Sequence, residues 1–368
     1  MLNDPPDRSS RSNRAIRSAH VIGGRLLGGA ELFYARLVNA LQRRGHTALA
    51  ITSADSLIAG ELCPEVPRAH VPMRGVWDWW SRWRIQKLLQ THRPQIVQTY
   101  MGRATRLTHL PVAPHPVHVA RLGGYYTLKG YRHAHAWIGN TQGICDYLIR
   151  HDLPAQRVFH IGNFILPREP SPAEALAHRR EQWQVPADAL LVAAVGRLHP
   201  VKGFDDLLNA FARLPTTLDG RPIYLVIVGD GPLAAQLKHL SEQLDLTGRV
   251  RWTGWRRDAG HFQEMADVIV CPSRHEPLGN VILEAWAWRR PVIATRTLGP
   301  AEIAAHQDDA WLVPVADPTA LAEALRLLLT DAPLRASIAQ NGYRKVSTSY
   351  SEGAIVSAYL ELYAHLLD

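Results

Sequence analysis

Residues 190–214, LLVAAVGRLHPVKGFDDLLNAFARL, open with six apolar residues closed by a glycine, the signature of a strand buried on both faces. A loop carrying Arg197 and Lys202 follows, and Phe204, Leu207, Leu208 and Phe211 then recur at helical spacing. This strand–loop–helix unit repeats outward in both directions. Downstream, strands are expected at Tyr224–Val228, Val250–Thr253, Val268–Cys271, Val292–Thr295 and Trp311–Val313, with helices such as Leu233–Leu244 and Gly279–Arg289 between them. Upstream, a second series is expected at Ala19–Ile22, Thr47–Thr52, Gln95–Tyr100, Val117–Arg121, Ala136–Gly139 and Val158–Ile161. Pro167, Pro170 and Pro172 separate the two series, because proline suits neither a helix interior nor a central strand. The fold class is therefore α/β, with two doubly wound parallel-sheet domains at residues 1–166 and 167–349. In this architecture ligands bind at the carboxyl ends of the strands.

Composition narrows the function. With 368 residues, 46% apolar and 20% charged, the chain can fill two cores and is no disordered tail. Its longest apolar runs fall well short of the roughly 18 residues that cross a bilayer, and the arginines at 8, 11, 14 and 17 precede no apolar signal region, so a cytoplasmic protein is expected. Cys63, Cys145 and Cys271 are too scattered for a disulfide framework or a metal clip. Residues 1–168 hold 22 Lys/Arg against 9 Asp/Glu, and residues 169–368 hold 19 against 24. One basic half joined to a mildly acidic half suggests that the first meets an anionic surface, with an unpartnered solvated face as the alternative.

Three short segments carry candidate chemistry. In Glu276-Pro-Leu-Gly-Asn-Val-Ile-Leu-Glu284, two carboxylates bridge a strand end and the next helix, and the amides of Leu278, Gly279 and Asn280 lie where an opening helix presents N–H groups to an anion. Two acids at this spacing, taken alone, favour the plainer reading of a helix-start carboxylate and a surface Glu. Arg197 and Lys202 supply the fork and the point charge that suit a diphosphate, each charge-assisted bond being worth roughly 1.5–3 kcal/mol. Gly28-Gly29-Ala30-Glu31 follows the first strand, where bare backbone can approach a ligand or simply form a βα turn.

These segments, with Arg44-Gly45-His46, Lys202-Gly203, Gly229-Asp230-Gly231-Pro232, Ala266-Asp267, Pro272-Ser273 and Ala285, together resemble the retaining glycosyltransferases of family 4 over nearly the whole chain. The resemblance implies the two-domain GT-B fold, with an acceptor-binding first domain completed by the terminal helix 350–368 and a nucleotide-sugar-binding second domain. It implies that Arg197 and Lys202 hold the diphosphate, that Glu284 binds the ribose, and that Glu276 with the amides of Leu278, Gly279 and Asn280 faces the donor sugar. Gly28 and Gly29 would close on the phosphates, and Trp255 would wall the base. No separate cofactor is implied, since the nucleotide-sugar, expected to carry UDP, is a substrate. No D-x-D pair occurs, so no metal is expected. The sequence departs from the family where many members have a histidine contacting the donor sugar. Here Arg121-Leu-Gly123-Gly124-Tyr125 occupies the region, with Arg121 a candidate for an anionic acceptor or donor group.

Other motifs point elsewhere. Gly229-x-Gly231-x-x-Ala234 fits a dinucleotide fingerprint, but no acid ends the next strand. His115-x-x-His118 and His133-x-His135 lack a third ligand at a suitable spacing. On a helical wheel Ile85, Leu88 and Leu89 share one face, while Trp79, Trp80, Trp83 and Lys87 fall opposite, flanked by arginines. Outward tryptophans and cations compose an interfacial membrane element, although they can also pack beneath a loop or line an acceptor groove. The expected protein is a retaining, metal-independent glycosyltransferase, peripheral on the inner face of the membrane, acting on a lipid-linked, lipopolysaccharide or exopolysaccharide acceptor. A soluble acceptor is the alternative. Nucleic-acid binding through the basic, Trp-rich half is the non-enzymatic rival, and it is not expected because it leaves Arg197, Lys202, Glu276 and Glu284 without a task.

Overall fold

The computed structural model describes residues 15–111 and 116–368, so Arg8, Arg11, Arg14 and His115 lie outside the described residues. The chain divides into two compact units, one running to Asn163 and resuming at Glu352–Asp368, the other spanning Phe164–Ser351.

In the first unit β1 (Arg17–Ile22), α1 (Gly29–Arg43), β2 (Thr47–Thr52), β3 (Arg68–His70), α2 (Trp79–His92), β4 (Ile96–Tyr100), α3 (Met101–Leu107), β5 (Val117–Leu122), β6 (Ala136–Gly139), α4 (Gln142–Arg150) and β7 (Val158–His160) succeed one another. The strands form one parallel sheet in the order β3-β2-β1-β4-β5-β6-β7. Chain order reverses between β1 and β4, which opens a crevice at their carboxyl ends. Helix starts are set by side chains that accept from otherwise unpaired N–H groups: Asp78 from Ser81 at α2 and Thr141 from Ile144 at α4.

The second unit contains α5 (Ala173–Gln182), β8 (Leu190–Val195), α6 (Phe204–Ala212), β9 (Thr217–Leu218), β10 (Arg221–Val228), α7 (Ala234–Gln243), β11 (Val250–Gly254), α8 (Ala259–Met265), β12 (Val268–Cys271), α9 (Asn280–Ala287), β13 (Val292–Thr295), α10 (Leu298–Ile303), β14 (Trp311–Val313), α11 (Pro318–Thr330) and α12 (Ala332–Thr348). Its parallel sheet runs β11-β10-β8-β12-β13-β14, and only the short β9 pairs antiparallel, to β10. Alternation along each strand feeds two cores. Leu190, Val192 and Ala194 of β8, with Ile223, Leu225 and Ile227 of β10, enter one cluster. Leu191 and Ala193, with Val226 and Val228, enter the other. Both faces are therefore dry, which is why these strands carry no polar alternation.

The terminal helix α13 (Glu352–Leu367) belongs to the first unit, where Tyr359 and Tyr363 are fully buried. The Tyr363 hydroxyl donates to Gln98 Oε1 at 2.7 Å, and Arg43 pairs with Glu352 at 2.7 Å.

Candidate active site

In the second unit, chain order reverses between β8 and β12, and the loops that follow these two strands carry three of the singled-out side chains. Residues 196–203 leave β8, and residues 272–279 leave β12. Several contacts clasp the two loops. The Arg274 and His275 N–H groups donate to the Val201 carbonyl at 2.8 and 3.1 Å, and Arg274 Nη2 meets both Asp205 and Asp206 at 2.7 Å. Gly203 adopts φ +63°, and a Cβ there would collide with the Pro272 carbonyl, so glycine is required for this approach.

The clasp brings Lys202 Nζ to 2.5 Å from Glu276 Oε2, with Ser273 Oγ donating to the same oxygen at 3.3 Å. Side-chain exposures of 29% and 11% place this ion pair at the mouth of the loops, with the carboxylate on the inner side. Burial alone would lower the Lys202 ammonium pKa, but the Glu276 carboxylate outweighs it and the net shift is upward, so the lysine stays cationic. The neighbouring Cys271 thiol is pushed up to about 11 by burial and by the Glu276 charge, which keeps it neutral and unreactive.

Arg197 is exposed on the β8 loop and makes no ion pair or hydrogen bond among the described residues. Glu284 is half-buried at the fifth position of α9, whose N-cap Gly279 takes φ +98°. Leu278 and Gly279 are buried, and Asn280 is half-buried. Trp255, 56% exposed, follows β11 at the same carboxyl edge of the sheet. The dinucleotide-like turn serves the backbone instead. A Cβ at Gly229 would strike the Gly196 carbonyl and one at Gly231 the Leu198 carbonyl, while the Leu198 N–H donates to the Asp230 carbonyl at 3.0 Å. These glycines pack one loop on another.

In the first unit, Gly28 is the N-cap of α1 and Gly29 its first residue. The Glu31 carboxylate folds back over this start, accepting from the Gly28 N–H and from its own, and burial raises its pKa. Its oxygens fill the space where a Cβ at Gly24 or Gly28 would lie. Arg121, near the end of β5, is only 3% exposed. Its Nε donates to the Tyr359 hydroxyl at 3.0 Å, its Nη2 to Asn163 Oδ1, and its guanidinium lies 4.1 Å over the Phe33 ring. Gly123 is half-exposed, Gly124 is buried, and Tyr125 packs edge-on against Tyr147.

On α2, Ile85 and Leu89 enter the core, whereas Trp79, Trp80 and Trp83, with Trp77 just before the helix, are 79%, 47%, 49% and 91% exposed. Lys87 Nζ sits 5.2 Å over the Trp83 ring. Among the described residues no helix is long and apolar enough to cross a membrane.

The sequence reading missed Arg274, Asn140 and Asn163. Asn140 directly follows β6, a position at a strand's carboxyl end that could have flagged it. Nothing local marks Asn163.

Comparison with known proteins identifies the family and the fold. The family described as Glycosyl transferases group 1 matches residues 177–345, and Glycosyltransferase Family 4 matches residues 27–168. The lipopolysaccharide core biosynthesis glycosyltransferase LpsD of Rhizobium meliloti is 34% identical over 350 residues, covering 91% of this chain and 95% of its own. Among solved structures, a glycosyltransferase of Rickettsia africae superposes with a TM-score of 0.81 at 19% identity, covering 96% of this chain and 99% of the other. Anabaena HepE in complex with UDP-glucose gives 0.81 at 20%, covering 95% and 99%. The two Rossmann-like units thus have the GT-B fold that the sequence motifs led us to expect.

Proposed function

Because the chain belongs to the group 1 glycosyl transferases, with a family 4 first domain, we propose that it transfers a sugar with retention from a UDP-sugar to a lipid-linked or lipopolysaccharide acceptor, without a metal ion. The observation that carries the donor half is the Lys202–Glu276 pair at the strand-order reversal of the second sheet, with Lys202 on the same loop as the exposed Arg197. An incoming diphosphate finds one uncommitted guanidinium and one ammonium already fixed in direction. As the acceptor oxygen bonds to the anomeric carbon, the bond to the diphosphate breaks on the same face and the hydroxyl proton passes to the departing phosphate oxygen. Arg197 and Lys202 neutralise the charge growing there, and Glu276 orients the sugar. Glu284 binds the ribose and Trp255 flanks the base. HepE, solved with UDP-glucose, supports uridine as the base, and the name of LpsD supports the acceptor class.

The exposed tryptophans of α2, beside Arg82, Arg84 and Lys87, support seating of the first unit on an anionic membrane from the cytoplasmic side. Thermal-shift screening with UDP, GDP, ADP and their sugars tests the donor. A ligand at 100 times its Kd adds about 2.7 kcal/mol of stability. A shift with UDP compounds is expected, and no shift with any nucleotide would overturn the proposal.

A further inference from the structure

The structure assigns a small anion-recognising subsite to the first unit, formed by Arg121 and Asn140 on either side of Gly123, and we infer that it binds a carboxylate or phosphate group carried by the acceptor saccharide. This rests on the glycosyl-transfer reading and names the chemistry of its acceptor.

Arg121 is 3% exposed, yet no carboxylate among the described residues lies within ion-pair distance of it. Its partners are an amide oxygen, a phenol and a phenyl face, all neutral. Burying a guanidinium with neutral partners alone is costly, and such charges are ordinarily paired. Tyr359 and Asn163 occupy Nε and Nη2. They leave Nη1 without a hydrogen bond among the described residues, 3.9 Å from where a Cβ of Gly123 would stand.

An independent observation lies across the same glycine. Asn140 is 4% exposed and its Oδ1 has no hydrogen-bond partner, although a buried amide oxygen is normally satisfied. Its Nδ2 lies 3.5 Å from the same Cβ position. Gly123 is itself half-exposed, so solvent reaches the spot, and any side chain there would occupy it. β5 and β6 are neighbours in the sheet, with Leu122 paired to Gly139, so both groups stand at adjacent strand ends. Nη1 and Nδ2 donate to the anion, while Oδ1 accepts from a hydroxyl beside it. The nearby Glu31 carboxylate, held at the start of α1, disfavours an anion from that side, and the remaining titratable groups facing Arg121 are the phenols of Tyr126, Tyr359, Tyr100 and Tyr363.

The test measures binding of glucuronate, glucose 6-phosphate and glucose to the full chain by ligand-detected NMR at matched ionic strength. Anionic sugars are expected to bind at least about tenfold more tightly than glucose, since one charge-assisted hydrogen bond is worth roughly 1.5–3 kcal/mol. The carboxylate and phosphate arms show which group is preferred. Asn140→Asp places a competing carboxylate beside Arg121 and should abolish the preference, as should Gly123→Val by filling the space. Both variants retain Arg121, whose removal endangers folding. Equal binding of glucose, or a preference that survives both variants in a folded chain, overturns the inference. UDP binding, measured on the same samples, should be unchanged by Asn140→Asp. Its absence in the unmodified chain would defeat the donor assignment while leaving the anion preference readable.

Discussion

Replacing Lys202 by alanine removes one partner of a pair whose carboxylate is 11% exposed and leaves Glu276 with only the Ser273 hydroxyl. Breaking a fully buried pair this way costs about 3–5 kcal/mol. Because the lysine is 29% exposed, water partly compensates, and we expect a stability loss of about 1–3 kcal/mol. Turnover should fall further, by roughly 10² to 10³, the usual effect of losing one preorganised stabiliser of leaving-group charge. The two effects separate in the double variant Lys202→Ala, Glu276→Gln, in which no orphaned charge remains. Its melting temperature should recover much of the loss, and its sugar-transfer rate at saturating donor should not. Recovery of the rate together with stability would mean that Lys202 merely neutralises Glu276. Undiminished turnover in Lys202→Ala would refute its role in the reaction outright.

Other outcomes follow from the same geometry. Changing Trp77, Trp79, Trp80 and Trp83 to serine should abolish co-sedimentation with anionic liposomes while costing no more than about 2 kcal/mol of stability in all, about 0.5 kcal/mol for each exposed position; undiminished sedimentation removes the membrane reading. Gly229→Ala should unfold the second unit or sharply lower its melting temperature, because the new Cβ meets the Gly196 carbonyl at φ +148°. The first unit should be acid-labile. Burial lowers His20 to about 3 and His118 well below its usual range, so both fold neutral while the unfolded chain titrates near 6.5. Stability is complete above that value and declines as pH falls toward 4, by about 1.4 kcal/mol per pH unit for each fully buried histidine. A denaturant midpoint that does not fall between pH 6.5 and 4.5 contradicts this.

How far the sequence reveals this molecule depends on whether the determining interaction is local. The strands of both sheets are legible because two-sided burial demands apolar runs such as Leu190–Val195, whereas Arg68–His70 pairs only with β2 at the sheet edge, needs no such run, and escapes notice. Arg197, Lys202 and Glu276 stand out because loops after parallel strands carry ligand chemistry, a rule that uses only order along the chain. That Lys202 grips Glu276, 74 residues on, is invisible until β8 and β12 become neighbours. Arg121 is the sharper case: arginine is ordinarily read as exposed, and the partners that bury it, Asn163 and Tyr359, lie 42 and 238 residues away. Gly229-x-Gly231 matches a nucleotide fingerprint without being one for a related reason. Missing side chains announce that something approaches the backbone closely, and a phosphate or a peptide carbonyl satisfies that signal equally well. Residue type therefore reports the kind of contact a position can make, and only the assembled sheet decides which group makes it.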